Sequence, residues 1–173
     1  FRKDTAIKLL NEVHFSVIRG NISEIKTLYE WSENSYGVDA KKDDIITEDN
    51  QKKVIRMAKE LAVKTKAVIV ITGETDLVTD GETVYFIKNG VPEMARITGC
   101  GCMLDGVIAG FIGANQGNIL EATVTAVSAM GICGEYAREN AKGTGTLKVH
   151  LIDAMSNIDE TWMERSNQIE SRS

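Results

Sequence analysis

Apolar positions recur at helical spacing in several stretches of this chain and run continuously in others, and that pattern predicts its elements. Ile7, Leu10 and Val13 share one face of a first helix, capped by Asp4 or Thr5 and running to about Phe15. Phe15-Ser16-Val17-Ile18 is a β-prone run suited to a buried strand, ended by Arg19-Gly20-Asn21. Asn21-Ile22-Ser23-Glu24 opens a second helix carrying Ile25, Leu28 and Tyr29. From Trp31 to Thr47 the chain is polar and reads as a loop or insert. The clearest amphipathic helix spans about Glu48 to Thr65, with Val54, Met57, Ala58, Leu61 and Ala62 as its stripe. Ala67-Val68-Ile69-Val70-Ile71 follows directly, and a continuous apolar strand after such a helix is the pattern of a parallel sheet covered on both faces.

Beyond it, Leu77-Val78-Thr79 and Thr83-Val84-Tyr85-Phe86-Ile87 flank Asp80-Gly81, a hairpin signal. Asn89-Gly90 marks a further turn, and Pro92 keeps the chain from continuing as a central strand. The turn Gly99-Cys100-Gly101-Cys102 leads into a mostly apolar helix expected from Cys102 to about Ala114. A long helix rich in Ala and Gly, from about Asn118 to Asn140, is apolar on most sides and suited to the interior. Lys142-Gly143-Thr144-Gly145-Thr146 breaks the chain before a last helix, roughly Leu147 to Met163, and the polar tail from about residue 164 is expected to fray. The sum is a single α/β domain over residues 1–173 with a mostly parallel central sheet flanked by helices.

Composition adds limits rather than detail. A 173-residue chain can bury a substantial core, and its 43% hydrophobic and 26% charged residues are those of an ordinary globular protein. A net charge of -5 with no basic patch argues against a nucleic-acid partner. The most apolar segment, Ile119 to Cys133, is too short to span a bilayer and contains Glu121, so no membrane partner is expected. Three cysteines, an odd number, without a secretory signal suggest a reducing, cytoplasmic setting. Phe1 is not an initiator methionine, and the chain reads as the C-terminal portion of something longer.

Three clusters carry candidate chemistry. The Gly99–Cys102 turn feeds a helix start, whose first N–H groups lack intrahelical acceptors and, with the helix dipole, suit an anion such as phosphate. It also reads as an ordinary tight connection, or as a Cys-x-Cys metal site that lacks the second pair of ligands a structural zinc needs. Cys133, on an apolar helix face, reads as a small buried hydrophobe. In the second cluster, Asn21 and Glu24 have the spacing of a capping box. The same amide and carboxylate could hold a hydrated Mg²⁺, with Arg19 pairing with a phosphate. The third, Thr72-Gly73-Glu74, lies at the C-terminal end of an apolar strand, where α/β proteins place ligands. Asp76 and Asp105 are further acids near these clusters, each of a type that commonly faces solvent. His14 and His150 form no ligand pattern, and neither a Walker-type loop nor a Gly-x-Ser-x-Gly elbow occurs.

Taken in order, Ile18-Arg19-Gly20-Asn21-Ile22-Ser23-Glu24-Ile25, Ile71-Thr72-Gly73-Glu74-Thr75-Asp76 and Thr98-Gly99-Cys100-Gly101-Cys102-Met103-Leu104 resemble the hydroxyethylthiazole kinase family, within the ribokinase-like superfamily. Gly143-Thr144-Gly145-Thr146 and Val149-His150-Leu151-Ile152-Asp153 resemble that family's C-terminal segment. The resemblance implies a ribokinase-like layered fold lacking its N-terminal portion, a homotrimer, and ATP-dependent phosphorylation of 4-methyl-5-(2-hydroxyethyl)thiazole in thiamine biosynthesis or salvage. It implies ATP contacts at Arg19, Thr72, Gly73 and Gly101, a substrate contact at Gly99, and Mg²⁺ placed by Glu24 and Asn21. Cys102 stands where ribokinase-like kinases generally carry a catalytic Asp, so it is the candidate catalytic residue, with Asp105 a possible assistant one helical turn on. The competing readings are a non-catalytic nucleotide-binding or oligomerising module of the same fold, a pyrimidine-alcohol kinase, and a redox or metal role for Cys100 and Cys102.

Overall fold

A computed structural model describes residues 2–32 and 50–172. The expected polar loop falls almost wholly outside the described residues, as do the first two positions of the helix expected from Glu48. The elements in chain order are α1 (Arg2–Glu12), β1 (Val17–Asn21), α2 (Ile22–Ser32), α3 (Gln51–Thr65), β2 (Val68–Thr72), β3 (Asp76–Thr79), β4 (Val84–Ile87), a 3-10 turn (Pro92–Arg96), α4 (Cys100–Ala114), α5 (Ile119–Asn140), α6 (Thr144–Asn157), α7 (Glu160–Ser166) and β5 (Ile169–Arg172). The strands form one five-stranded sheet in the order β1-β2-β3-β4-β5, flanked by helices. Among the described residues no helix is long and apolar enough to cross a membrane.

The sheet is mixed, which corrects the expectation of a mostly parallel one. β1 and β2 are parallel, with Val17 opposite Val68 and Asn21 opposite Thr72. β2 and β3 are antiparallel, with Ile71 opposite Leu77. The cause is connection length. A parallel crossover takes a dozen or more residues, which α2 and α3 supply between β1 and β2. Only three residues separate Thr72 from Asp76, so the chain must reverse.

The chain divides into two compact units, residues 1–85 with 171–173, and residues 86–170. In the first, α2 and α3 pack on each other and on β1 and β2. Ile25, Leu61, Ile69, Ile71 and Leu77 are at most 1% exposed and form its centre. Burying each such side chain contributes about 1.5–3 kcal/mol. The amphipathic stripe of α3 is buried as its spacing requires. The expected hairpin is present: Gly81 takes φ 103°, and the Asp80 carboxylate accepts from the Glu82 and Thr83 N–H groups.

In the second unit, α4 and α6 both pack on α5, 13 of whose 22 residues are buried. Asn118 caps α5 through its side chain, at the expected boundary. The single last helix expected from Leu147 to Met163 is instead two, α6 and α7, with Asp159 accepting from Trp162 N–H to start the second. The tail expected to fray holds the end of α7 and all of β5. Asn89 explains part of this order. Its amide donates to Ser166 O at 2.8 Å, and its carbonyl oxygen accepts from Gln168 N–H at 2.9 Å.

Candidate functional site

The Arg19–Glu24 cluster occupies a junction with no loop, because β1 ends at Asn21 and α2 begins at Ile22. Arg19 and Asn21 therefore belong to the strand, beyond the strand end expected at Ile18. The junction closes with a reciprocal cap. Glu24 N–H donates to Asn21 Oδ1 at 2.9 Å, and Asn21 N–H donates to Glu24 Oε2 at 2.9 Å. Glu24 folds back over Gly20 so closely that a Cβ there would stand 3.0 Å from Glu24 Cβ and 3.1 Å from Oε2. Asn21 and Glu24 are solvent-exposed, whereas Gly20 is buried.

Side chains alternate along a strand, so the register sorts this end of the sheet into two faces. Arg19 and Asn21 share a face with Val70 and Thr72. Continuing the β2–β3 register by one residue puts Asp76 opposite Thr72, on that face too. Thr72 Oγ1 donates to Gly20 O at 3.4 Å, a long bond that leaves the hydroxyl loosely held. The turn after β2 is fixed from its far end, where Gly73 N–H donates to Asp76 Oδ1 at 2.9 Å. Asp76 is half-buried, and burial pushes its carboxyl up to about 6, against the lowering effects of the Gly73 N–H and of the Arg19 charge. Arg19, Asn21, Glu24, Thr72 and Gly73 thus gather at the C-terminal end of two parallel strands.

In the second unit, the Gly99–Cys102 region differs from expectation in its boundary. α4 starts at Cys100, two residues early, with Gly99 as its N-cap at φ 88°. Sequence reasoning missed this start because Gly99 caps by backbone shape, in the left-handed region open to glycine, without a side-chain signal. Cys100 N–H donates to Ile97 O, and Met103 N–H to Gly99 O. Among the described residues, the N–H groups of Gly99, Gly101 and Cys102 make no bond to a backbone acceptor. Cys102 is exposed in this first turn, and Asp105 is exposed one turn on. Cys133 is fully buried on α5, and burial pushes its thiol up to about 11, as befits a packing residue.

The approach to Gly99 is anchored by residues that the sequence did not mark. Asn89 Oδ1 accepts from buried Ser128, and Glu135 accepts from both Asn89 Nδ2 and Gly90 N–H. α5 comes so close that a Cβ at Gly131 would lie 2.6 Å from Asn89 Cβ, and one at Gly134 would lie 2.2 Å from Met94 Sδ. The available signal was Gly131-x-x-Gly134 inside an otherwise buried helix. Arg138 also holds Glu93 of the 3-10 turn at 2.6 Å. Among the described residues, no group of three His, Cys, Asp or Glu could hold a metal ion. The exposed Asn21–Glu24 pair fits only a cation that keeps most of its water, which is the habit of Mg²⁺.

Comparison with known proteins identifies the family of the chain. The hydroxyethylthiazole kinase family model matches residues 1–161. Hydroxyethylthiazole kinase of Clostridium acetobutylicum is 43% identical, over 98% of this chain and 63% of its own length. Hydroxyethylthiazole kinase 1 of Clostridium botulinum is 42% identical with the same two shares. The structure of the hydroxyethylthiazole kinase protein from Pyrococcus horikoshii superposes with a TM-score of 0.84 at 25% identity, covering 100% of this chain and 61% of that one. The chain therefore spans a little under two thirds of the length of these relatives, and it belongs to the hydroxyethylthiazole kinase family.

Proposed function

We propose that the protein built on this chain transfers the γ-phosphoryl group of ATP to the primary alcohol of 4-methyl-5-(2-hydroxyethyl)thiazole, within thiamine biosynthesis or salvage. Family membership supports the reaction class and the alcohol. The observation that carries the chemistry is the open start of α4, where Gly99, Gly101 and Cys102 keep N–H groups unclaimed by backbone acceptors. Such donors, with the positive end of the helix dipole, stabilise the charge on a transferring phosphoryl group.

Each unit carries part of the assignment. From the first, Arg19 offsets phosphate charge, and the Thr72 hydroxyl and Gly73 backbone meet the nucleotide. Asn21 and Glu24 would hold Mg²⁺ through its water shell, and the ion would neutralise triphosphate charge. From the second, Gly99 meets the thiazole alcohol and Gly101 the phosphate. The substrate oxygen bonds to the γ-phosphorus as the bond to ADP breaks, and the hydroxyl proton passes to solvent water. Cys102, exposed in the first turn, lies beside that proton's departure point. Residues 1–173 are read as belonging to one ribokinase-like kinase domain of a homotrimeric protein. The three cysteines, all free of disulfides, accord with a cytoplasmic setting.

The test is ADP formation by the purified chain with Mg·ATP and the thiazole alcohol. The expected result is ADP released one-for-one with phosphorylated alcohol. Binding of Mg·ATP without turnover, in this chain and in a version extended to the relatives' length, would overturn the kinase reading in favour of a non-catalytic module. Preference for a pyrimidine alcohol in the same assay would overturn the substrate.

A further inference from the structure

The acid at the start of β3 has no part in the chemistry above, yet it bonds one of that chemistry's parts and shares a sheet face with two others. Asp76 bonds the turn that follows Thr72, accepting from Gly73 N–H at 2.9 Å. It stands opposite Thr72 on the sheet face that also bears Arg19. An acid left to solvent needs no such placement, and Asp76 is half-buried there.

We propose that Asp76 is a positioning residue for nucleotide binding, holding the Gly73 backbone by a hydrogen bond and the Arg19 guanidinium by its charge before the nucleotide arrives. The inference rests on the nucleotide reading of Arg19, Thr72 and Gly73. Its logic is preorganisation. A long, flexible arginine loses rotamer freedom on meeting a phosphate, and a neighbouring carboxylate that already orients it reduces that loss. The same carboxylate fixes a glycine whose backbone would otherwise be free to turn. The register puts Arg19 and Asp76 on one face of the sheet, and the Arg19 charge acts to lower the Asp76 carboxyl there.

Two variants separate the two holds. Asp76→Asn keeps an oxygen for Gly73 N–H and removes the charge that acts on Arg19. Asp76→Ala removes both. Calorimetric titration with Mg·ATP should show weakening of about 3–5-fold for Asp76→Asn and 10–30-fold for Asp76→Ala, with the weakening in turnover assays falling on the KM for ATP rather than on kcat. The decisive step is a double-mutant cycle with Arg19→Ala, in which Asp76→Asn should have no further effect once Arg19 is gone. Melting temperatures establish that each variant is folded, and Asp76→Asn answers the question if Asp76→Ala is not. If Arg19→Ala weakens Mg·ATP binding and Asp76→Asn does not, or if the two effects simply add, the positioning role is overturned while the nucleotide site stands. If the wild-type chain binds no Mg·ATP, or Arg19→Ala leaves binding unchanged, the nucleotide reading itself fails and takes this inference with it.

Discussion

The starts of α2 and α4 are opposites. At α2 the Asn21 and Glu24 side chains satisfy each other's backbone donors and leave a carboxylate at the surface. At α4 a glycine caps without a side chain, and among the described residues the N–H groups of Gly99, Gly101 and Cys102 meet no backbone acceptor. A helix N-terminus carries a partial positive charge in both cases. What differs is whether the protein fills it. A start filled by its own carboxylate has negative charge to offer a cation, and an empty one has donors to offer an anion. Under the proposed function, one kind of structural element, closed in one place and open in the other, would serve the cation and the anion of a phosphoryl transfer.

The most drastic way to break that contrast is to close α4 as α2 is closed. Gly99→Asp puts a carboxylate at the N-cap, where it repels phosphate and competes for the bare donors. Asp tolerates the left-handed region better than most residues, and among the described residues no atom beyond the chain neighbours crowds the added Cβ. Turnover should fall at least ~100-fold, as when oxyanion donors are lost, with the circular dichroism spectrum unchanged. Activity within a few-fold of wild type would mean that no anion binds there.

The converse change leaves α2 capped and removes its charge. Glu24→Gln keeps an oxygen for Asn21 N–H, so the melting temperature should hold. The Mg²⁺ concentration for half-maximal activity should rise about 10-fold, the scale of losing one charged partner to a hydrated ion. An unchanged Mg²⁺ requirement would reduce Asn21 and Glu24 to a cap alone.

A smaller effect concerns the acid between the strands. Asp76 has a higher pKa in the folded chain, about 6, than the ordinary 3.8, so the folded state holds its proton more tightly. Its contribution is therefore most favourable below about pH 4, declines as pH rises toward 6, and is level above that. The stability of Asp76→Asn relative to wild type should rise across this window by on the order of 1 kcal/mol, allowing for the solvent exposure of the site. Urea denaturation at intervals from pH 4 to 7 would measure it, and a flat difference would refute it.

The smallest change is expected at the residue that looks most catalytic. A loose transition state asks little of a base. Cys102→Asp should therefore keep kcat or raise it a few-fold, because a carboxylate is already ionised. A loss of several orders of magnitude in a folded variant would show that the thiol has a specific role.

What the sequence made legible was local. The Asn21–Glu24 cap, the Asp80-Gly81 hairpin and the Asn118 start of α5 each rest on residues within about one turn of each other, and each was read at its place. The helix of α3 was legible because an apolar stripe repeats along it. Other features depended on distant partners or on backbone shape. The start of α4 was misplaced because its cap is a dihedral angle. The sheet was expected to be mostly parallel because the α3–β2 pattern was extended past a turn too short for a crossover. Asn89 looked like part of a surface turn, although its partners Glu135, Ser166 and Gln168 lie 46 to 79 residues away. Nothing in its neighbourhood announces them. The same holds for Asp76, whose placement follows from strand register.

The absence of any loop between β1 and α2 has a consequence for which changes this chain can accept. One residue added between Arg19 and Asn21 would turn Arg19 to the other face of the sheet. One added between Asn21 and Glu24 would swing Glu24 about 100° around α2 and away from its cap. Insertions and deletions, which surface connections elsewhere absorb, are excluded from residues 19–24 by the geometry of a strand that becomes a helix without a pause.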